Sequence, residues 1–362
     1  MKICLISVEI FAWGKYGGFG RSTRMIGREL VKRGIDVTAV VPRRAGQKPV
    51  EAFDGIRVLG FDPRQPFSAL ELFRQADADI YHSQEPSFGT YLAQQAMPER
   101  KHIVTFRDTR NLHDWWLFLT HPTFSNIQVL LNYLYEDNFL VAQSVRDADR
   151  CFTASRFLVS KARKKYRLPQ DPEFLPSSIP LPDAVVKSDT PLVCFVGRLD
   201  RIKRPHIFFE LAQQFPEVDF VTIGAGHNVI LEERFQKRYG RLPNLKLHGF
   251  VDQFRSKELS EILARSWILV NTSLHESLPT SFIEAVGHEC AILSEINPDG
   301  FASEYGYHVL NGDYAAGLRY LLANDEWRKR GMLGAEYVLN TFSINVALQR
   351  HIKIYEDLTK IA

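Results

Sequence analysis

Three groups of residues in this 362-residue chain combine types and spacings suited to a phosphorylated ligand. The first is the run GKYGGFGRST, in which Gly17, Gly18 and Gly20 precede a predicted helix whose opening turn carries Arg21, Ser22 and Thr23. Residues without Cβ let the backbone approach an anion, and a helix N-terminus offers free N–H groups to phosphate oxygens. A tight turn without a ligand would use the same glycines. The dinucleotide fingerprint is not met, because Gly18-Phe19-Gly20 is followed by Thr23 where a third glycine should stand. The second strand ends VVPRR with no ribose-binding acid, so a nicotinamide site is disfavoured, Arg43-Arg44 being the only hint of one.

The second group is GRLDRIKRP, which sets Arg198 and Lys203 five positions apart where a strand gives way to a helix. A planar guanidinium and a mobile ammonium there could neutralise a diphosphate as charge grows on its bridging oxygen, although a solvated cationic cluster would read the same. The third is NTSLHESLPTSFIEAVGHECAIL, where Pro279 should end a loop and Thr280 or Ser281 should cap a helix. Glu276 then lies in the loop and Glu284 in the first helical turn. Ser281-Phe-Ile-Glu284 also fits a capping box, which would reduce Glu284 to a partner of its own cap.

These groups need elements to hold them. Short apolar runs alternate with helical stretches, as in parallel sheets covered by crossover helices. KICLISV, DVTAVV, IRVLGF, ADIYHS, HIVTFRD and RCFTAS read as one strand series, and PLVCFVG, DFVTIGAG, NLKLHGF, WILVNTS and AILSEI as a second. A helix from Arg21 to Arg33 should stop at Gly34, and a longer one from about Phe124 to Val145 should bury Leu130, Leu131, Leu134 and Phe139. Pro169, Pro172, Pro176, Pro180 and Pro182 exclude a helix or central strand between the two series and mark the linker. In such sheets ligands bind beyond the carboxyl ends of the strands.

Composition narrows the class. Hydrophobic residues at 45% and charged at 24% are ordinary globular values, against disorder. Cys4, Cys151, Cys194 and Cys290 stand far apart among apolar residues, which excludes a disulfide framework and a structural zinc site. No apolar run is long enough for a membrane span, and the start is too quickly polar for a signal peptide, so a cytoplasmic setting is expected. Residues 1–180 hold 25 Lys/Arg against 19 Asp/Glu, and six of those cations fall between Arg156 and Arg167 with no acid among them. That run suits an anionic surface or simply a solvated helix face.

The GGFG loop, GRLDRIKRP, the strand ending IGAG, HGFV and Glu276-x7-Glu284, in this order, resemble the retaining GT-B glycosyltransferases of group one, or family four. The likeness spans nearly the whole chain. It implies an α/β fold with two Rossmann-like doubly wound domains facing across a cleft: 1–175 for the acceptor, 176–342 for a nucleotide-sugar donor, and a final helix, 343–362, packing back on the first. It further implies that Arg198 and Lys203 hold the donor diphosphate, Glu284 the ribose and Glu276 the sugar hydroxyls. The backbone of Ser277, Leu278, Pro279 and Thr280 would support sugar and phosphate, Gly17 and Gly18 would close over the phosphates, and Gly224, Gly226, Phe250 and Val251 would border the base. The activity implied is hexose transfer to a glycan, lipid-linked or small-molecule acceptor, with no metal or other cofactor and no nucleic acid.

One departure concerns the acceptor side. TFRD places Arg107 where many relatives have a strand-end histidine, and an arginine is no base at neutral pH. Arg107, His82 and His113 are the acceptor-side candidates, the histidines also reading as structural. Trp115, Trp116, Phe118 and Phe124 beside Arg107 and Arg110 read equally as core, as the wall of an acceptor pocket or, with the Arg156–Arg167 run, as peripheral contact with an anionic membrane through 110–120 and 156–167. Competing functions are nucleotide-sugar binding without turnover and a glycoside hydrolase using Glu276 and Glu284.

Overall fold

The computed structural model describes residues 1–14, 17–123, 125–226 and 229–360. Lys15 and Tyr16 of the glycine run and Phe124 of the aromatic run lie outside the described residues. The chain divides into two compact units: Met1–Asn111, Leu130–Ile179 and Ile344–Ala362 form the first, and Leu112–Val129 with Pro180–Ser343 the second. The change of unit after Ile179 falls inside the five-proline segment, four residues beyond the expected boundary at 175/176. Leu112–Val129, expected in the first domain, belongs to the second unit.

In the first unit, β1 (Lys2–Ile6), β2 (Asp36–Pro42), β3 (Val50–Phe53), β4 (Ile56–Phe61), β5 (Ile80–Ser83), β6 (Lys101–Phe106), β7 (Arg150–Thr153) and β8 (Glu173–Phe174) order as β3-β4-β2-β1-β5-β6-β7-β8. All neighbours are parallel except the β3–β4 hairpin. Continuous apolar strands suit this arrangement because both sheet faces are covered. Ile3 and Leu5 point into one core layer with Leu348, Tyr355 and Leu358 of the C-terminal helix Ile344–Lys360, while Cys4 and Ile6 point into the other with Phe73 and Tyr81. The sequence pattern missed β3, too mixed in polarity, and β8, a two-residue edge among prolines.

The helix expected from Arg21 begins earlier, spanning Gly18–Val31, and Gly34 closes it at φ +77° with its N–H on Val31 O. The long helix expected to Val145 is two helices, Asn126–Glu136 and Phe139–Arg146, parted at Asn138, whose side chain accepts the Val141 N–H at 3.1 Å. Leu130, Leu131, Leu134 and Phe139 are not core: they stand 52%, 54%, 56% and 73% exposed. Periodicity identifies an apolar stripe but not its partner, and here the inward side carries Tyr135, edge-on to Phe88, and Glu136, paired with Arg110.

In the second unit, β9 (Leu192–Val196), β10 (Asp219–Ile223), β11 (Leu245–Gly249), β12 (Ile268–Asn271), β13 (Ala291–Ser294) and β14 (Gly306–His308) order as β11-β10-β9-β12-β13-β14. Counted from its own first strand this is the 3-2-1-4-5-6 order of nucleotide-binding sheets, with Phe195, Phe208, Phe209 and Phe220 in its core.

Candidate functional site

In a doubly wound sheet the crevice opens where successive crossovers turn to opposite sides, which in the second unit is between β9 and β12. The loops leaving these strands are stitched together. Leu274 N–H donates to Ile202 O at 2.9 Å, Thr272 Oγ1 to Lys203 O at 2.6 Å, and Arg204 Nε to Thr272 O at 2.6 Å. Across this seam Lys203 and Glu276 meet as an ion pair, each about one-fifth exposed, and Ser273 Oγ donates to the same Glu276 oxygen at 2.9 Å. Arg198, on the same loop as Lys203 and half-exposed, lies 3.4 Å from the buried Asp200 carboxylate. Each cation faces a carboxylate, in the arrangement from which an incoming polyanion could draw them.

The neighbouring strand ends crowd in. Gly224 follows β10 at φ +133°, and a Cβ there would stand 2.0 Å from Gly197 O, so only glycine lets the β10 loop lie against the β9 loop. Gly224 N–H reaches Gly249 O at 2.8 Å, which draws the β11 end into the same group. Gly226 is half-buried, Phe250 exposed and Val251 buried. Past Glu276 the loop continues through Ser277, whose buried hydroxyl has no partner among the described residues, and half-buried Leu278 to Pro279.

Pro279 is the N-cap of the helix Thr280–Gly287, with no side-chain cap bond. Neither Thr280 nor Ser281 caps it, and the capping box is overturned because Ser281 is already inside the helix. Glu284 is the fifth helical residue, one or two positions deeper than expected, and buried.

In the first unit the corresponding reversal lies between β1 and β5. Just past β1, buried Glu9 accepts the Gly20 N–H at 3.1 Å, and a Cβ on Gly17 would fall 2.2 Å from the same oxygen. The third N–H of the helix Gly18–Val31 is thus already spent on the protein's own carboxylate, at the helix end that favours negative charge. Arg21, Ser22 and Thr23 are buried, Thr23 Oγ1 reaching Ser7 Oγ at 3.1 Å, and only Arg21 still falls in the first turn. Burial pushes the Arg21 guanidinium down to about 9.

Past β5 and β6 a buried polar group forms. Glu85 accepts the N–H groups of Arg107 and Asp108 at 2.6 and 3.0 Å, and burial, aided by Asp108, pushes its carboxyl up to about 8. Arg107 turns inward to Ser177 Oγ and Gln84 Oε1, both at 2.6 Å, with 5% exposure, and its buried Nε has no hydrogen-bond partner among the described residues. His82 is fully buried, Nδ1 against Tyr355 OH and Nε2 against Thr105 Oγ1, both at 2.7 Å. Burial, with His351 and Arg107 nearby, holds it well below the usual histidine range, and it is a structural residue.

The stretch 110–120 does not assemble as expected. Trp115 is buried while Trp116 is exposed, and Arg110 is spent on Asp108 and Glu136 at 2.7 and 2.5 Å. His113 is exposed on the helix Leu112–Thr120, within the second unit. The same helix brings Asp114 to 3.3 Å from His275 Nδ1, beside Glu276, and Phe118 edge-on to that ring. Sequence reasoning missed Glu9, Glu85 and the Asp114–His275 pair. An acid in the first residues after a strand signals the first two, whereas the third joins positions 161 apart and leaves no local trace.

Comparison with known proteins agrees with this architecture. Residues 16–181 match the model of Glycosyltransferase Family 4, and residues 182–330 that of Glycosyl transferases group 1. Sucrose-phosphate synthase from Thermosynechococcus elongatus superposes with a TM-score of 0.75 at 16% identity, covering 100% of both chains. Anabaena Alr3699/HepE, solved in complex with UDP-glucose, gives 0.69 at 14% identity over 99% of this chain and 100% of that one. A Homo sapiens phosphatidylinositol N-acetylglucosaminyltransferase chain is 27% identical over 117 residues, which is 31% of this chain but only 24% of that protein. With both halves matched in order and two doubly wound sheets of the GT-B kind, the chain belongs to the group 1 glycosyltransferases.

Proposed function

We propose that this glycosyltransferase moves a hexose from a nucleotide diphosphate sugar to an acceptor hydroxyl with retention of anomeric configuration. The observation that carries the reading is the convergence of Arg198, Lys203 and Glu276 on the β9–β12 reversal. As the sugar–phosphate bond breaks, negative charge grows on the leaving diphosphate, and a guanidinium and an ammonium fixed beside it lower the barrier. Those two cations supply the charge neutralisation, so no metal is required. Glu276, released from Lys203, would accept from sugar hydroxyls, Glu284 would accept from the ribose, and the unpartnered Ser277 hydroxyl would find its partner on the ligand. The acceptor hydroxyl approaches the face the diphosphate leaves and gives its proton to the departing oxygen, without a protein nucleophile.

The crystallised relative that carries UDP-glucose supports a nucleotide-sugar donor. The hydrolase alternative fits less well, because Glu276 is neutralised by Lys203 and Glu284 is buried in a helix. The test is to incubate the protein with UDP- and GDP-hexoses, and separately with plain aryl glycosides, following nucleoside diphosphate release and product anomer by NMR. Release from a nucleotide sugar with an axial product from an axial donor, unaffected by EDTA, is expected. Turnover of plain glycosides alone would sink the proposal.

A further inference from the structure

We infer that Leu130, Leu131 and Leu134 of the helix Asn126–Glu136, with Phe139 beyond it and the end of the basic helix Leu158–Tyr166 tied to the link between them through Lys165, form a face that docks this protein on an anionic lipid bilayer. In the part of this helix that belongs to the first unit, Leu130, Leu131 and Leu134 stand at i, i+1 and i+4, each more than half exposed. A helix of a soluble fold turns such a stripe inward. This one instead has no fully buried residue, and Phe139, opening the next helix, is equally uncovered. Scattered exposed leucines need no explanation, but a contiguous apolar stripe marks an interaction surface.

Charge says what covers it. From Phe139 to Arg167 the chain has eight Lys/Arg and two Asp; Arg150 and Arg163 pair with Glu173 and Asp171 just beyond, and Arg156, Lys164 and Arg167 are exposed. Lys165 Nζ donates to Asp137 Oδ2 at 2.7 Å and to Arg110 O at 2.6 Å. The last turn of the basic helix is thereby fastened at the link between the leucine stripe and Phe139. Apolar side chains flanked by cations fit the boundary between acyl chains and anionic headgroups. A second copy meeting this face about a two-fold axis would bring two such cationic helices together, which like charge opposes. The surface differs from the expected one: the apolar part moves from 110–120 to 130–139, and it does not depend on the donor reading.

The test is co-sedimentation of the full chain with phosphatidylcholine vesicles, with and without phosphatidylserine. Sedimentation only with phosphatidylserine, reversed by salt, is expected. Leu131→Glu with Leu134→Glu, and separately Lys164→Glu with Arg167→Glu, should each lower binding at least about tenfold without shifting the melting temperature. Three results overturn the proposal: no sedimentation with either vesicle, sedimentation that neither variant weakens, or a dimer in vesicle-free solution that the leucine variant converts to monomer. Donor turnover on a soluble acceptor reads the transferase reading separately and should be unchanged in both variants.

Discussion

Lys203 and Glu276 are 73 positions apart in sequence and share an ion pair, with Arg198 and Asp200 paired on the same loop. If the cations serve a leaving diphosphate, Arg198→Ala with Lys203→Ala should cut turnover by about two to three orders of magnitude, as loss of transition-state charge stabilisation does. Turnover within a few-fold of wild type in that variant would remove them from the mechanism. Glu284 poses a different question now that Pro279 occupies the cap position. Glu284→Gln should weaken nucleotide binding by roughly tenfold to a hundredfold in titration calorimetry, the cost of about 1.5–3 kcal/mol for a charged hydrogen bond. A variant that binds as wild type and only melts earlier would make Glu284 a packing residue. Arg107 shows where residue type misleads. The strand-end position was legible, but the inward turn to Gln84 and Ser177 was not, because those partners lie 23 and 70 positions away in the segments that follow β5 and β8.

At the scale of elements, the C-terminal helix Ile344–Lys360 is tied to the first sheet by a polar latch inside an apolar layer. Tyr355 OH meets His82, and His351 Nε2 meets Pro176 O at 3.2 Å. Burial holds His351 down to about 4 and His82 well below the usual range, so both are neutral in the fold. Unfolded histidines take protons below about 6.5, so between there and pH 4 the unfolded chain binds more protons and stability falls as pH falls. His351→Gln, which keeps a donor for Pro176 O, should flatten that dependence by up to about 1.4 kcal/mol per pH unit, read as urea midpoints between pH 7.5 and 4.5. An unchanged slope would place the proton uptake elsewhere. The final helix was expected from the family likeness, whereas the latch joins residues 273 apart and was not.

At the scale of the whole molecule, two sheets each reverse direction beside their first strand, and the second does so in the order of nucleotide-binding folds. Melting curves with UDP, GDP and ADP should show one nucleotide stabilising the chain selectively, by about 2.7 kcal/mol at a hundred times its dissociation constant. No shift with any of the three would leave the second sheet without its proposed ligand. Most strands of both sheets and their parallel arrangement follow from local pattern, because strands buried on both faces must be apolar throughout, while the close approach that requires Gly224 against Gly197 belongs to the tertiary structure. What only the tertiary structure decided is which face of each element looks inward and which distant side chains meet. Leu131 and Leu134 read as core and lie outside, Arg107 read as a ligand contact and lies inside, and Glu9 occupies a helix end that looked open. Periodicity and residue type describe an element's own surface, but the direction that surface faces depends on the neighbours supplied by the rest of the chain.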